Sequence, residues 1–152
     1  VNAPVQTSKG PLYCGPAAIS AITGKTVEEL GLQKVTSMHD NYVTSVLREH
    51  GFKTRGVVFM KKSFERTRQD PWWHEWTHNE VVFNGPTIAA FLRDRTPEQR
   101  RSMMLITAAH HYVLVERDWL VDNNYPNGID IADYPYRRRR VVSAMIIERR
   151  KQ

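Results

Sequence analysis

The stretch Tyr13-Cys14-Gly15-Pro16-Ala17-Ala18-Ile19-Ser20-Ala21-Ile22 constrains this chain most, because it sets the only cysteine of 152 residues at the head of an apolar run of helix formers. Pro16 fits the first turn of a helix, where its missing N–H would have had no intrahelical partner. Thr23-Gly24 supplies a stop, since glycine takes the left-handed cap without a Cβ penalty. The spacing therefore predicts a helix opening at Cys14. A sulfur at that end feels the positive pole of the helix and its unpaired N–H groups, which favour the nucleophilic thiolate. The same residues also suit a small buried thiol with no chemistry, so the rest of the chain must decide.

Size points to a single domain over 1–152, large enough to bury its own core. One cysteine cannot form an internal disulfide. No apolar run approaches the roughly 20 residues that cross a bilayer, and Val1 to Gly10 lacks the apolar centre of a signal peptide. A cytoplasmic protein in a reducing compartment, without a membrane partner, is the expectation. Twenty-two Lys and Arg against sixteen Asp and Glu give a net charge of +6. Much of the excess lies in Arg137-Arg138-Arg139-Arg140 and Arg149-Arg150-Lys151, within a basic final strand and tail over 137–152. Such a run is either a solvated surface or a contact for an anionic partner such as nucleic acid.

Pro4, Gly10 and Pro11 make residues 1–13 irregular. Thr26 and Glu29 have capping-box spacing and predict a second, short helix ending near Gly31. Tyr42, Val43, Val46 and Leu47 recur at helical spacing from Asp40 to His50, with Gly51 as the stop. Phe52 to Met60 suits a strand. The charged, tryptophan-bearing segment 61–82, with Trp72, Trp73 and Trp76, is an insertion from the core in which Asp70 could cap a helix from Pro71. A short helix is expected from Asn84 or Gly85 through Leu92, followed by a polar stretch to Arg101. Met103 to Thr107, His111 to Glu116, Trp119 to Val121 and Val141 to Ile147 read as strands, with loop from Asp122 to Tyr136. The order implies an α+β fold, with N-terminal helices packed on one side of a C-terminal antiparallel sheet.

A nucleophilic thiol needs a base, and the base needs an acceptor to hold its ring. The strand starting His111-Tyr112-Val113 offers the base. His111 is preferred to His110 because it begins the apolar alternation and so has a fixed direction. If Arg117-Asp118 is a two-residue turn, Glu116 faces Trp119 and His111 faces Asn124. Asp122 is then a diagonal neighbour on the same face, about 7–8 Å away at the backbone. A turn one residue longer presents Asn123 instead. Gln6 is a polar side chain that could reach back toward Cys14.

Cys-Gly-Pro-Ala-Ala opening a helix, His-Tyr-Val-Leu-Val on a strand and Val121-Asp122-Asn123 after a short turn together resemble papain-like cysteine peptidases. Within them the order is most similar to the branch typified by the leader-peptide peptidases of bacteriocin exporters, and similar compact thiol hydrolases occur in bacteria and phages. The resemblance spans about residues 6–123 and rests on these three motifs. It implies a papain-like fold and a hydrolase that cleaves a peptide or isopeptide bond in a polypeptide substrate. It also implies a catalytic triad of Cys14 as nucleophile, His111 as general base and acid, and Asp122 as the orienting residue, with no cofactor and no metal. A family glutamine about six residues before the nucleophile helps form the oxyanion hole. Gln6 is the side chain the resemblance offers for that role, although it stands eight residues before Cys14 and so departs from the family spacing.

Two other readings compete. His74-Glu75-Trp76-Thr77-His78 satisfies the HExxH pattern, which on a helix would pair His74 and His78 on a zinc ion with Glu75 as base. Glu98 or His110 would have to supply a third ligand, and Pro71 leaves such a helix barely begun. The other reading is a catalytically inactive, basic protein- or nucleic-acid-binding module built on the arginine run.

Overall fold

A computed structural model of the chain describes residues 1–58, 61–69 and 75–151, with backbone alone for 57–58, 61–69 and 75–83. Among the described residues it is α+β, with four α-helices and an antiparallel sheet of six strands. Helix α1 (Cys14–Thr23) starts where Ala17 N–H reaches the Tyr13 carbonyl, and it ends at Gly24, whose φ of 75° is the left-handed cap. Helix α2 (Asp40–Glu49) is capped by His39, whose ring accepts the N–H of Tyr42, and it buries Val43, Val46 and Leu47. The segment from Thr26 is one hydrogen-bonded turn and not the expected helix. Both capping-box bonds form between Thr26 and Glu29, but Gly31 at φ 71° closes the chain before a second turn can follow. A single turn fixes many dihedrals for few hydrogen bonds, so tertiary anchors hold it, chiefly buried Val27 with its N–H on the Val5 carbonyl.

The six strands run in the order β1 (Phe52–Val58), β8 (Val141–Arg149), β4 (Met103–Ala108), β5 (His111–Glu116), β6 (Trp119–Val121) and β7 (Ile129–Asp130). Strands β2 (Lys61–Gln69) and β3 (Glu75–Phe83) pair with each other in a separate antiparallel sheet, so the insertion is a β-ribbon. Phe59 and Met60, at the end of the first expected strand, lie outside the described residues, as do Asp70, Pro71, Trp72, Trp73 and His74. Helix α3 (Ile88–Arg93) begins later than expected, because the side chain of Thr87 accepts the Ala90 N–H and serves as the cap. The polar stretch after it contains α4 (Pro97–Arg101), held by a complete capping box of Thr96 and Gln99. The arginine run precedes the last strand. Its Arg137 and Arg139 carbonyls accept the first N–H groups of α3.

The N-terminal helices α1 and α2 share one side of the sheet, as expected, while the later helix α3 covers the other side. Leu105, Leu114, Val121, Met145 and Ile147 form one core with α1 and α2. The alternate residues Met104, Ile106, Val113, Val115, Leu120 and Ile146 form another with Ile88, Phe91 and Leu92 of α3 and with Tyr134. Strands covered on both faces read as continuous apolar runs, which is the pattern of β4, β5 and β8. A bulge between Thr107 and Ala108, opposite Val141 to Ser143, re-aims β8 at this end. Val141 thus joins the α3 core while Ser143 points to α2, where its hydroxyl donates to Asp40 at 2.9 Å.

Candidate active site

Cys14 occupies the first position of α1, partly buried against the α1–α2 core, and α1 packs on β5. Gly15 beside it is set by space, since a Cβ there would come within 2.9 Å of the Met38 side chain. Strand β5 brings His111 to the thiol, close enough that the imidazole lowers the titration of the thiol and the thiol raises that of the imidazole. The turn that feeds the strand is Ala109-His110, both left-handed at φ 48° and 72°, as a two-residue hairpin requires. His110 therefore sits in the turn, and His111 takes the first paired position.

The β5–β6 hairpin has the expected register, with Glu116 opposite Trp119 and Leu114 opposite Val121. Asp122 then accepts from His111 Nε2 at 3.0 Å. This leaves Nδ1 as the ring nitrogen free for the thiol. The Asp122 side chain is 0% exposed, and each of its oxygens carries two bonds. Oδ2 takes His111 and the hydroxyl of Tyr134 at 2.8 Å, while Oδ1 takes the N–H groups of Asn124 at 2.9 Å and Tyr125 at 2.8 Å. Such a saturated carboxylate cannot rotate without losing several charge-assisted bonds.

Asn123, the other residue weighed for orienting the base, does a different job. Its Nδ2 donates to the Leu12 carbonyl at 3.1 Å and ties the Asp122 loop to the segment entering α1. Gln6 turns its amide N–H group to the carbonyls of its own loop, with Gly10 the nearest at 3.0 Å. The group that the resemblance would aim at an oxyanion is thus spent on holding residues 6–11 together. Glu75 and His78 belong to strand β3, and His74 lies outside the described residues. The HExxH reading needs the i, i+4 spacing of a helix, and a strand in that segment removes it. Of the third ligands considered, Glu98 bonds to Arg55 and His110 occupies the β4–β5 turn. Among the described residues no group of three His, Cys, Asp or Glu side chains could hold a metal ion.

The electrostatics follow from these contacts. Burial pushes the Cys14 thiol up, but hydrogen bonds with His111 and the N–H groups of Tyr112 and Gly15, and the charge of His111, leave it below its ordinary value. Asp122 first, and Cys14 second, raise His111 to about 9 against the cost of burial. Burial alone would raise Asp122, yet its bonds to His111, Tyr134 and the Tyr125 N–H hold it below the usual carboxylate range. At neutral pH these directions favour a thiolate–imidazolium pair, whose two protons belong to the pair as a unit.

Tyr134 was not found by sequence reasoning, because it lies in a stretch read as loop. Its only signal was a large aromatic residue among turn formers. A cleft of about 380 Å³ adjoins the site, lined by residues that include Met38, Asp40, Thr107, His110 and Tyr112. Tyr112 links the two places, since its backbone N–H helps lower the thiol and its hydroxyl donates to Asp40 Oδ1 at 2.7 Å. Burial, then Asp40, keep that phenol protonated far above its ordinary range.

Comparison of the chain with protein-family models, with curated proteins and with solved structures found no match. Among the described residues no helix is long and apolar enough to cross a membrane.

Proposed function

We propose that this protein is a papain-like cysteine hydrolase that cleaves a peptide or isopeptide bond through an acyl-enzyme on Cys14. The observation that carries the reading is the chain of contacts from a helix-opening thiol to His111, and from His111 Nε2 to a buried, saturated Asp122 at 3.0 Å. In this mechanism the Cys14 thiolate attacks the substrate carbonyl carbon and forms a C–S bond. The carbonyl π electrons move to oxygen, near the N–H groups at the start of α1, which have no intrahelical acceptors. As the intermediate collapses the C–N bond breaks, and imidazolium His111 gives its proton to the departing amine. His111, now neutral, takes a proton from water as it attacks the thioester, and the carboxylic acid leaves with the thiolate restored. Asp122 holds the ring and stabilises its charged form throughout. The cleft beside Tyr112 provides a groove for the polypeptide.

The test is alkylation. Iodoacetamide should label Cys14 at neutral pH much faster than it labels the unfolded chain, and His111→Ala should remove most of that advantage. Equal rates for folded and unfolded protein would overturn the reading.

A further inference from the structure

The cleft of about 380 Å³ beside Cys14 is lined by one carboxylate, Asp40, and by no lysine or arginine. Asp40 is half-buried at the first position of α2. Tyr112 donates to its Oδ1 at 2.7 Å, Thr107 donates to the same oxygen at 3.5 Å, and Ser143 donates to Oδ2 at 2.9 Å. Among the described residues no lysine, arginine or chain terminus lies within ion-pair distance of it. The ring of His39, on the same wall, accepts the Tyr42 N–H at 3.2 Å and so stands there as a neutral imidazole. Hydroxyls and the amino end of α2, worth about half a charge, fix the carboxylate without cancelling it.

Oδ1 is the oxygen that a molecule in the cleft can meet, because Tyr112 and Thr107, the two hydroxyls on either side of it, both line the cleft. The Thr107 bond is at the limit of hydrogen-bond length, so a stronger donor can take its place on Oδ1. One oxygen suits a compact ammonium better than a guanidinium, whose fork needs two parallel acceptors. Thr107 Oγ1, once released, can accept a further ammonium proton. Met38 and Val142 add apolar wall, on which a methylene stem can lie while its charged end reaches the carboxylate. The cleft also opens next to the nucleophile, since the Met38 side chain that lines it is the one a Cβ on Gly15 would meet at 2.9 Å.

We propose that this cleft selects a lysine side chain next to the bond that Cys14 attacks, with the ammonium on Asp40 Oδ1 and Thr107 and the stem against Met38 and Val142. The inference rests on the hydrolase reading and adds the class of substrate to it. The full chain is treated with the Nα-acetylated chloromethyl ketones of lysine, arginine, norleucine and glutamate, and the rate of Cys14 labelling is read by mass. The lysyl reagent should react about tenfold faster than the norleucyl one, its uncharged counterpart, which is the gain from one hydrogen bond to a charged group. The arginyl reagent should fall between them, and the glutamyl reagent should be slowest. Asp40→Asn should bring the lysyl-to-norleucyl ratio to about one. The ratio is taken within one variant, so a general change in thiol reactivity cancels. If Asp40→Asn does not fold, Val142→Lys, which brings a rival cation to the wall, should lower the ratio in its place.

A ratio near one in the wild type, a ratio that persists in Asp40→Asn, or a preference for arginine would overturn the proposal. Uniformly slow labelling, by iodoacetamide as well, would count against the hydrolase reading instead. The cleft is then judged by itself, by titrating Cys14→Ala with Nα-acetyl-lysine methylamide and following the amide resonances of Thr107 and Tyr112. Saturable shifts that the norleucine analogue does not cause, and that Asp40→Asn removes, would uphold the lysine site, and their absence would sink it.

Discussion

The two faces of the six-stranded sheet have different relations to the proposed chemistry. The α1–α2 face supplies Cys14, which packs at the edge of that core. The opposite face supplies what holds the base, because His111 alternates in phase with Val113 and Val115, Asp122 with Leu120, and Tyr134 lies in the same core. The site therefore spans the end of the sheet and belongs to neither core alone. The difference teaches that the proposed nucleophile and base are positioned by separate packing problems, joined through β5 and the Asn123–Leu12 tie.

That division can be tested, and the largest effect should come from the orienting carboxylate. Asp122→Ala should slow alkylation of Cys14 at pH 7 by about tenfold, toward the rate of an ordinary thiol that is a few per cent thiolate, and under the proposed mechanism it should cut hydrolysis by about 10³–10⁴-fold. It should also return His111 from about 9 toward its unperturbed 6.5, measured by NMR titration of the ring. The sign of the linked stability follows. The protonated, paired imidazole stabilises the folded state fully below 6.5, and that contribution is lost as pH rises through about 9. Wild-type reactivity at Cys14 should change in the same alkaline range, and Asp122→Ala should move that limb to lower pH.

Next in size are the cores themselves. Leu47→Ala on one face and Ile106→Ala on the other, both fully buried, should each cost about 2–5 kcal/mol in urea unfolding. The two losses should add, because the side chains lie in different clusters. Strong non-additivity would mean that the faces behave as one core. Smaller still, Tyr134→Phe removes one hydrogen bond to a charged acceptor and should cost about 1.5–3 kcal/mol. It should shift the alkaline limb of Cys14 alkylation while leaving the acid limb in place. A change in stability with no change in the pH profile would reduce Tyr134 to a packing residue.

Much of this arrangement could be read from the residues, wherever the deciding forces were local. Cys14-Gly15-Pro16 before an alanine run specifies a helix start, and the strand alternation narrows the neighbour of His111 to Asp122 or Asn123, with the length of the turn at Arg117-Asp118 deciding for Asp122. What escaped was set at long range. Tyr134 reaches Asp122 from a segment with no periodicity, and β7 is only Ile129–Asp130, paired because β6 already stands there. The placement of α3 on the far face follows from which side of the sheet was still uncovered, which a pattern within one helix cannot state. Helix α4 did carry a local sign, Thr96-Pro97-Glu98-Gln99, but five polar residues without an apolar face are easily taken for loop.

The hairpin turn between β4 and β5 spends two left-handed residues, neither of them glycine, immediately ahead of the histidine that serves the thiol. Each such residue costs about 1–2 kcal/mol relative to a relaxed backbone. His110→Gly should therefore recover about 1 kcal/mol in thermal unfolding. It should also let the neighbouring imidazole swing over a wider arc and slow the reaction of the sulfur. Durability and the reactivity of the sulfur would pull in opposite directions at a single peptide unit, so hardening this protein by relaxing its turn would blunt the thiol.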